Sequence, residues 1–234
     1  MNAPPRPQLP VAQKLRIKFA KRGRMRFASH RDFSRAFERA LRRAKLPMAY
    51  SEGFNPHPKI SYAGAAPTGT SSAAEFLEIS LTEPVDLNFV QRELNLALPE
   101  GFDIESVADA AGLAPLVELL QASHWQIELP GVDLATAQNA VASFLAAEKI
   151  MVERLTRKGI RRFDCRAAVV QIGVIFDQCA ILDLVVRHET PAVRPDDVLI
   201  GLQQVGVVEP ASAPKVHRIA QGPLDLWTKT SPQR

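Results

Sequence analysis

Hydrophobic and charged positions alternate where the folded part of the chain begins. In residues 14–20, Leu15, Ile17 and Phe19 fall on one side of the segment and the cations between them on the other. A period of two is typical of a β-strand with one buried face.

The next apolar pattern has the period of an α-helix. Ser29 and Asp32 have the spacing of a capping box, and Pro47 limits the helix at its other end. The predicted apolar face contains Phe33, Phe37, Ala40, Leu41 and Ala44, and the opposite face contains Arg31, Arg35, Arg39 and Arg42. We therefore predict an amphipathic helix from Ser29 to about Lys45 that packs on a sheet.

Further along, strand and helix patterns complete one unit and then begin a second. Short strand segments at residues 48–51 and 59–63, a strand at 73–81, a helix capped by Asp86 and a strand at 101–110 give the order β-α-β-β-α-β. The second series comprises a strand at 124–130, a helix from Asp133, strands at 149–155 and 179–188, a helix from Pro195 and a strand at 215–221. Residues 161–177 fit either helix or strand.

These patterns predict an α+β fold class made of two tandem ferredoxin-like (β-α-β-β-α-β) halves. We assign residues 1–13 to a disordered lead-in, 14–111 to the half with the basic helix and the GFNPHPK loop, 122–220 to the second half and 221–234 to a tail. A linker joins the two halves.

Composition narrows the class of protein. Hydrophobic residues make up 46% and charged residues 23%, as in soluble globular proteins. The lack of a long apolar run and of a signal-peptide core predicts a cytoplasmic protein with no membrane partner. Cys165 and Cys179 match no zinc or iron–sulfur spacing, so we expect no metal and no cofactor.

Charge is distributed unevenly along the chain. Residues 14–45 contain 13 Lys and Arg but two acids, a surplus of 11 positive charges, although the whole chain carries only +4. Such clustering favours RNA or another polyanion as partner. Arginine suits phosphate because its planar fork contacts two oxygens. The candidate phosphate ligands are Arg22, Arg24, Arg26, Arg31, Arg35, Arg39, Arg42 and Lys59. The alternative is a solvated helix face or a dock for an acidic protein. Glu75 and Glu78 are candidate ion-pair partners of this helix.

Residues 50–59 form the stretch YSEGFNPHPK, which places one histidine between two prolines. Pro56 and Pro58 restrict the backbone and would present His57 at small entropic cost, with Gly53 and Asn55 completing the loop scaffold. The further candidates are Phe54 as a base-stacking residue, and His57 and His30 as general acid or base. The alternative is a rigid surface turn with Phe54 in the core, so the catalytic residue stays unknown. The following segment, 64–76, resembles a flexible hairpin more than a phosphate loop.

The run from Arg16 to Ile79 resembles the bacterial radical-SAM-linked (radical-SAM-associated) domain family of unknown function, in its stand-alone form. The residues that match its signature are Phe27, Ser29, His30, Asp32, Arg35, Arg39, Tyr50, Ser51, Gly53, Phe54, Asn55, Pro56, His57, Pro58 and Lys59. The resemblance implies work with a separate radical SAM protein, because this chain has no C-x-x-x-C-x-x-C cluster motif.

Three functions follow as hypotheses. The first is an accessory, RNA-binding protein that works with a separate radical SAM enzyme in RNA or ribosome-related modification. The second is a metal-free enzyme acting on RNA with His57 or His30 as proton carrier. The third is a protein–protein adaptor that docks its basic helix on an acidic partner.

Overall fold

The structure is a computed structural model that describes residues 9–156 and 159–228. Residues 1–8 of the predicted lead-in and 229–234 of the predicted tail lie outside the described residues. The chain divides into two compact units, with the division between Val117 and Glu118. Each unit combines strands and helices, which confirms the predicted α+β class.

The first unit contains one antiparallel sheet. Its elements are β1 (Gln13–Lys21), a 3₁₀ helix (Gly23–Phe27), α1 (His30–Arg43), β2 (Ile60–Ala63), β3 (Ser71–Leu81), α2 (Leu87–Ala97) and β4 (Phe102–Asp109). A short helix, α3 (Leu116–Leu119), follows. β1 pairs with β3 and β4, and β2 pairs with β3, so the strands within this unit lie in the order β4-β1-β3-β2.

Helix α1 begins at a capping box, as predicted. The Ser29 side chain accepts a hydrogen bond from the Asp32 backbone, and Asp32 accepts one from the Ser29 backbone. All five predicted apolar positions are buried, and Phe37 and Ala40 are fully buried. The Phe33 ring stacks on Phe19 of β1 with ring centroids 4.2 Å apart. This packing holds the apolar face on the sheet and leaves the opposite face to solvent.

The second unit contains a four-stranded sheet and a separate hairpin. Its elements are β5 (Ala122–Leu129), α4 (Leu134–Ala146), β6 (Met151–Thr156), β7 (Gly159–Asp164), β8 (Val169–Asp177), β9 (Cys179–Arg187), α5 (Pro195–Val205), β10 (Lys215–Gly222) and α6 (Asp225–Thr228). The strand order within this unit is β10-β5-β9-β8, with antiparallel pairing throughout. β6 and β7 pair only with each other among the described strands.

The segment whose pattern fitted helix or strand forms β7 and β8. β8 is mostly apolar but is bent by an irregularity between Val169 and Gln171, which disturbs its alternation. The predicted caps of α2 and α4, Asp86 and Asp133, each accept a backbone hydrogen bond at the start of their helix. Among the helices in the described ranges, none is long and apolar enough to cross a membrane.

Candidate functional site

The arginine face of α1 consists of Arg31, Arg35, Arg39 and Arg42. All four side chains are exposed, and none of them forms an ion pair within 4 Å among the described residues. Successive members lie about 5–6 Å apart along the helix axis. Like charges at this spacing repel by about 0.2–0.5 kcal/mol per pair, and a bound anion would relieve that repulsion.

Asp32 is the nearest acid to the start of this face, but its carboxylate is engaged in the cap. It accepts hydrogen bonds from the Ser29 hydroxyl at 2.6 Å and the Ser29 N–H at 3.1 Å. These bonds lower the pKa of Asp32, and the charges of Arg35 and Arg31 add smaller effects in the same direction. The carboxylate therefore caps the helix and does not form a direct ion pair with the arginines.

The predicted phosphate ligands that precede α1 differ from the arginine face in pairing and in exposure. Arg22 donates to Asp103 at 2.9 Å and to Glu105 at 2.6 Å on β4. It therefore differs from the four arginines of α1, which are exposed and form no ion pair in the described part of the chain. Arg26 is half-buried with its guanidinium 4.6 Å from the Phe27 ring centroid. Arg24 is exposed.

The expectation that Glu75 and Glu78 pair with α1 was wrong for Glu78. Glu78 is buried on β3 and pairs with two cations of β1, Lys14 and Arg16, the latter at 2.7 Å. Burial acts to raise the pKa of Glu78, but the hydrogen bonds and charges of Lys14 and Arg16 outweigh it and lower the pKa. The carboxylate of Glu78 therefore does not neutralise the arginine face.

His30 lies at the mouth of a small pocket at the start of α1. Its ring meets the Tyr62 ring edge to face at 4.7 Å between centroids. The pocket has about 20 Å³ of internal volume, roughly the space that one water molecule needs. Its lining residues are Phe19, Lys21, Ala28, Ser29, His30, Phe33, Tyr62, Ala63, Ala65, Ala66, Glu75 and Phe76.

Two buried charged residues hold the loop that closes this pocket. The Lys21 ammonium donates to the Pro67 carbonyl at 3.2 Å, and the Glu75 carboxylate accepts from the Ala66 N–H at 3.1 Å. Lys21 is only 6% exposed and Glu75 only 4%. The loop that we expected to be flexible is therefore anchored at both strands that flank the pocket.

Tyr62 also lines the pocket. Its hydroxyl is buried and has no hydrogen bond of good geometry within the described residues, although the Ser34 hydroxyl is near enough to favour the phenolate. Burial outweighs that effect and raises the pKa of Tyr62, so the hydroxyl keeps its proton near neutral pH. The exposed His30 imidazole, in contact with the Tyr62 ring, is the candidate proton carrier at this pocket.

The loop around His57 is closed by a serine as well as by the prolines. Ser51 N–H donates to the His57 carbonyl at 2.8 Å, and His57 N–H donates to the Ser51 hydroxyl at 3.0 Å. The His57 side chain is exposed, Lys59 is half-buried, and Phe54 is 91% exposed. Phe54 therefore does not pack into the core and stays available for a ligand.

The two candidate histidines do not line the same pocket. His30 contacts Tyr62 of β2, whereas His57 precedes β2 in the loop closed by Ser51. His57 is not among the residues that line the pocket. The pocket therefore brings His30 together with Tyr62 and Lys21 at the start of α1, and His57 lies in the loop before β2.

Sequence reasoning overlooked Tyr62, Lys21 and Ser51. Tyr62 and Lys21 sit in ordinary strand patterns, and their roles arise from pairing between segments distant in sequence. Ser51 offered a signal, because a hydroxyl beside a glycine-proline loop commonly bonds to the backbone.

The protein therefore belongs to the α+β class, and helix α1 carries four exposed arginines that form no ion pair within 4 Å among the described residues. The chain belongs to a family described as uncharacterized proteins conserved in bacteria (DUF2344), which matches residues 14–195. This confirms that the chain is a member of a bacterial family of unknown function, whereas the link to radical SAM enzymes stays a prediction. No curated protein matches the chain.

Among solved structures, the chain is similar to the crystal structure of an unknown protein from Galdieria sulphuraria. The match has 14% sequence identity and covers 90% of this chain and 98% of that chain, with a TM-score of 0.26.

Proposed function

We propose that this protein binds RNA through the arginine face of α1 and serves as an accessory to a separate radical SAM enzyme that modifies RNA. The observation that carries the proposal is the row of four exposed arginines on one helix with no paired carboxylate among the described residues. Glu38 stands four positions before Arg42 on the same side of α1 but forms no ion pair within 4 Å among the described residues. The face therefore keeps a surplus of positive charge that favours a polyanion.

The GFNPHPK loop of the same unit carries two side chains that suit RNA better than they suit a simple anion. The 91% exposed Phe54 offers a ring on which an unpaired base could stack. The half-buried Lys59 on the same loop could contact a phosphate. The resemblance of the GFNPHPK region to radical-SAM-linked domains supports the accessory role.

The binding step is tested by fluorescence anisotropy with a labelled, mixed-sequence 20-nucleotide single-stranded RNA. We expect the variant Arg31→Ala/Arg35→Ala/Arg39→Ala to bind at least about tenfold more weakly than wild type, because three of its phosphate ligands are removed. The control Arg92→Ala/Arg187→Ala/Lys215→Ala removes the same charge from exposed side chains elsewhere. Equal weakening in both variants, or no binding by wild type, would refute the proposal.

The accessory role is tested in a bacterium that carries the gene. Deletion should remove a modified nucleoside from digested total RNA, and the wild-type gene but not the triple arginine variant should restore it. An unchanged nucleoside profile after deletion would contradict this part of the proposal.

A second candidate function is a metal-free, RNA-acting enzyme with His30 as the proton carrier. The pocket favours His30 over His57, because His30 lines it and contacts the Tyr62 ring, whereas His57 is not among the lining residues. RNA incubated with wild type, His30→Ala and His57→Ala would be compared by sequencing gel. Products formed by wild type and His57→Ala but not by His30→Ala would support this function, and identical patterns would exclude it.

We also propose that each unit is ferredoxin-like. The orders β4-β1-β3-β2 and β10-β5-β9-β8 both follow from a β-α-β-β-α-β chain when the β6–β7 hairpin is treated as an insertion. This topology supports no particular function, since such folds serve many activities.

A further inference from the structure

The β6–β7 hairpin of the second unit has one anchored face and one free face. Directly opposite residues of antiparallel strands share a face, and neighbours along a strand alternate. Val152 lies opposite Phe163, and Leu155 lies opposite Ile160. These two pairs therefore belong to different faces of the same ribbon.

The anchored face of the hairpin, here called the inner face, packs on the rest of the second unit. Val152 is fully buried and Phe163 is 7% exposed. Arg154, on the same face, donates to Asp197 of α5 at 2.7 Å and to the Ala192 carbonyl at 3.0 Å. Its guanidinium also lies 5.0 Å from the Phe163 ring centroid. The base of the hairpin is thus held by a buried apolar pair and a paired cation.

The outer face presents an aliphatic pair to solvent. Leu155 is 80% exposed and Ile160 is 71% exposed, although they face each other across the two strands. Leu155 and Ile160 are adjacent across the two strands, so together they form a small exposed apolar patch.

Two cations follow Ile160 along β7. Arg161 and Arg162 are both exposed, and neither forms an ion pair within 4 Å inside the described part of the chain. Arg162 shares the outer face with the aliphatic pair and lies opposite one acid, Glu153. Arg161 lies on the inner face opposite Arg154, whose charge is already paired with Asp197. The exposed part of the ribbon therefore carries a surplus of positive charge.

We infer that the exposed part of this hairpin is a second RNA contact, with Leu155 and Ile160 packing against bases and Arg161 and Arg162 holding phosphates. The inference rests on the proposed RNA-binding function. RNA offers phosphates and flat base surfaces within a few ångströms of each other, which matches a small aliphatic patch with cations next to it on the same strand. Two aliphatic side chains fall far short of the roughly 800 Å² per partner that a stable protein interface buries. They are also too few to anchor a protein on a membrane.

The test uses the full chain, the labelled 20-nucleotide single-stranded RNA and anisotropy titrations at several KCl concentrations. Arg161→Gln/Arg162→Gln should weaken binding about tenfold at 0.15 M salt and reduce the salt slope by about 1.4, or about 0.7 per phosphate. Leu155→Ser/Ile160→Ser should weaken binding about fivefold with an unchanged slope, because it removes packing against bases only.

Matched controls separate these effects from general ones. Val207→Ser replaces a 77% exposed aliphatic residue elsewhere in the same unit, and Arg187→Gln/Lys215→Gln removes two exposed cations. Both controls should bind within about twofold of wild type. Thermal melts followed by circular dichroism verify that every variant is folded.

The outcomes distinguish this inference from the proposed function. If both hairpin variants bind like wild type while the triple α1 variant fails, the hairpin contact is refuted and the proposed function stands. If wild type does not bind RNA at all, both fail. Hairpin-dependent binding to phosphatidylcholine–phosphatidylserine vesicles with unchanged RNA affinity would replace the inference by a membrane contact.

Discussion

The His30 ring meets the Tyr62 ring edge to face, with 4.7 Å between the ring centroids. This contact ties the first residue of α1 to β2, at the place where the exposed arginines begin. The pocket that His30 and Tyr62 line lies at this end of the cationic face. Lys21 and Glu75 hold the loop on the other side of that pocket by hydrogen bonds to its backbone. The start of α1 therefore lies at one end of the cationic face and also lines the pocket.

The cap at Ser29 should contribute measurably to the stability of the first unit. Ser29→Ala removes the acceptor for the Asp32 N–H and a donor to the Asp32 carboxylate. We expect a loss of about 1 kcal/mol in the free energy of unfolding, measured by urea denaturation. Ser34→Ala is the control, because the Ser34 hydroxyl bonds back to the His30 carbonyl within the helix and should matter less. Equal effects of the two substitutions would contradict this view of the cap.

The buried Glu78 should be far more important for stability than a surface acid. Glu78→Gln leaves Arg16 and Lys14 without their carboxylate, and we expect a loss of about 2–4 kcal/mol at pH 7. Since the pKa of Glu78 is lowered in the fold, its stabilisation is present above the unfolded value and is lost as pH falls through the folded value. Urea titrations at pH 7 and pH 3 should therefore show a smaller difference between wild type and variant at pH 3. An equal difference at both values would contradict the assignment.

Asp197 should behave in the opposite way. Burial raises its pKa despite the hydrogen bond from Arg194 and the charge of Arg154. Its ionised form is thus disfavoured by folding, and its contribution to stability falls as pH rises from the unfolded pKa through the folded one. We expect Asp197→Asn to cost less than about 1 kcal/mol at pH 7, because an amide oxygen can still accept from the Arg194 N–H.

The check for Asp197 is a direct comparison with Glu78→Gln in the same urea titration at pH 7. The Asp197→Asn protein should be the more stable of the two. A larger loss at Asp197 than at Glu78 would show that the Arg154 pair outweighs the cost of burial.

The two cysteines should differ in reactivity. Cys165 is fully buried, and burial raises the pKa of its thiol to about 12, whereas Cys179 is half-buried. Since the thiolate is the reactive form, native protein treated with an aromatic disulfide reagent should release about one equivalent of thiolate quickly. The second equivalent should appear only on unfolding. Rapid release of two equivalents from native protein would be inconsistent with a buried Cys165.

Local signals in the sequence predicted the helix starts well. The capping box at Ser29 and the caps at Asp86 and Asp133 depend on residues three positions apart, so their geometry is encoded within one turn. The class of fold follows from the same signals. β8 was harder, because a short apolar run has no clear period when a bulge interrupts its alternation.

Long-range pairing limited what could be predicted of the site. Arg22 reaches acids more than 80 positions away, and Glu78 finds its cations 62 or more positions away. A charge count along the chain cannot reveal such partners. Charge clustering did predict the exposed, unpaired state of the arginine face, because the neighbouring positions of α1 supply no acid that pairs with it directly.

The salt dependence of RNA binding tests the central claim most directly. Dissociation constants for the labelled single-stranded RNA would be measured between 50 and 300 mM KCl, a range over which the Debye length falls from roughly 14 to 6 Å. We predict that Arg31→Ala/Arg35→Ala/Arg39→Ala reduces the slope of log K against log salt by about 2, or about 0.7 for each phosphate that is no longer bound. A slope equal to that of wild type would contradict the claim that the arginine face holds the RNA backbone.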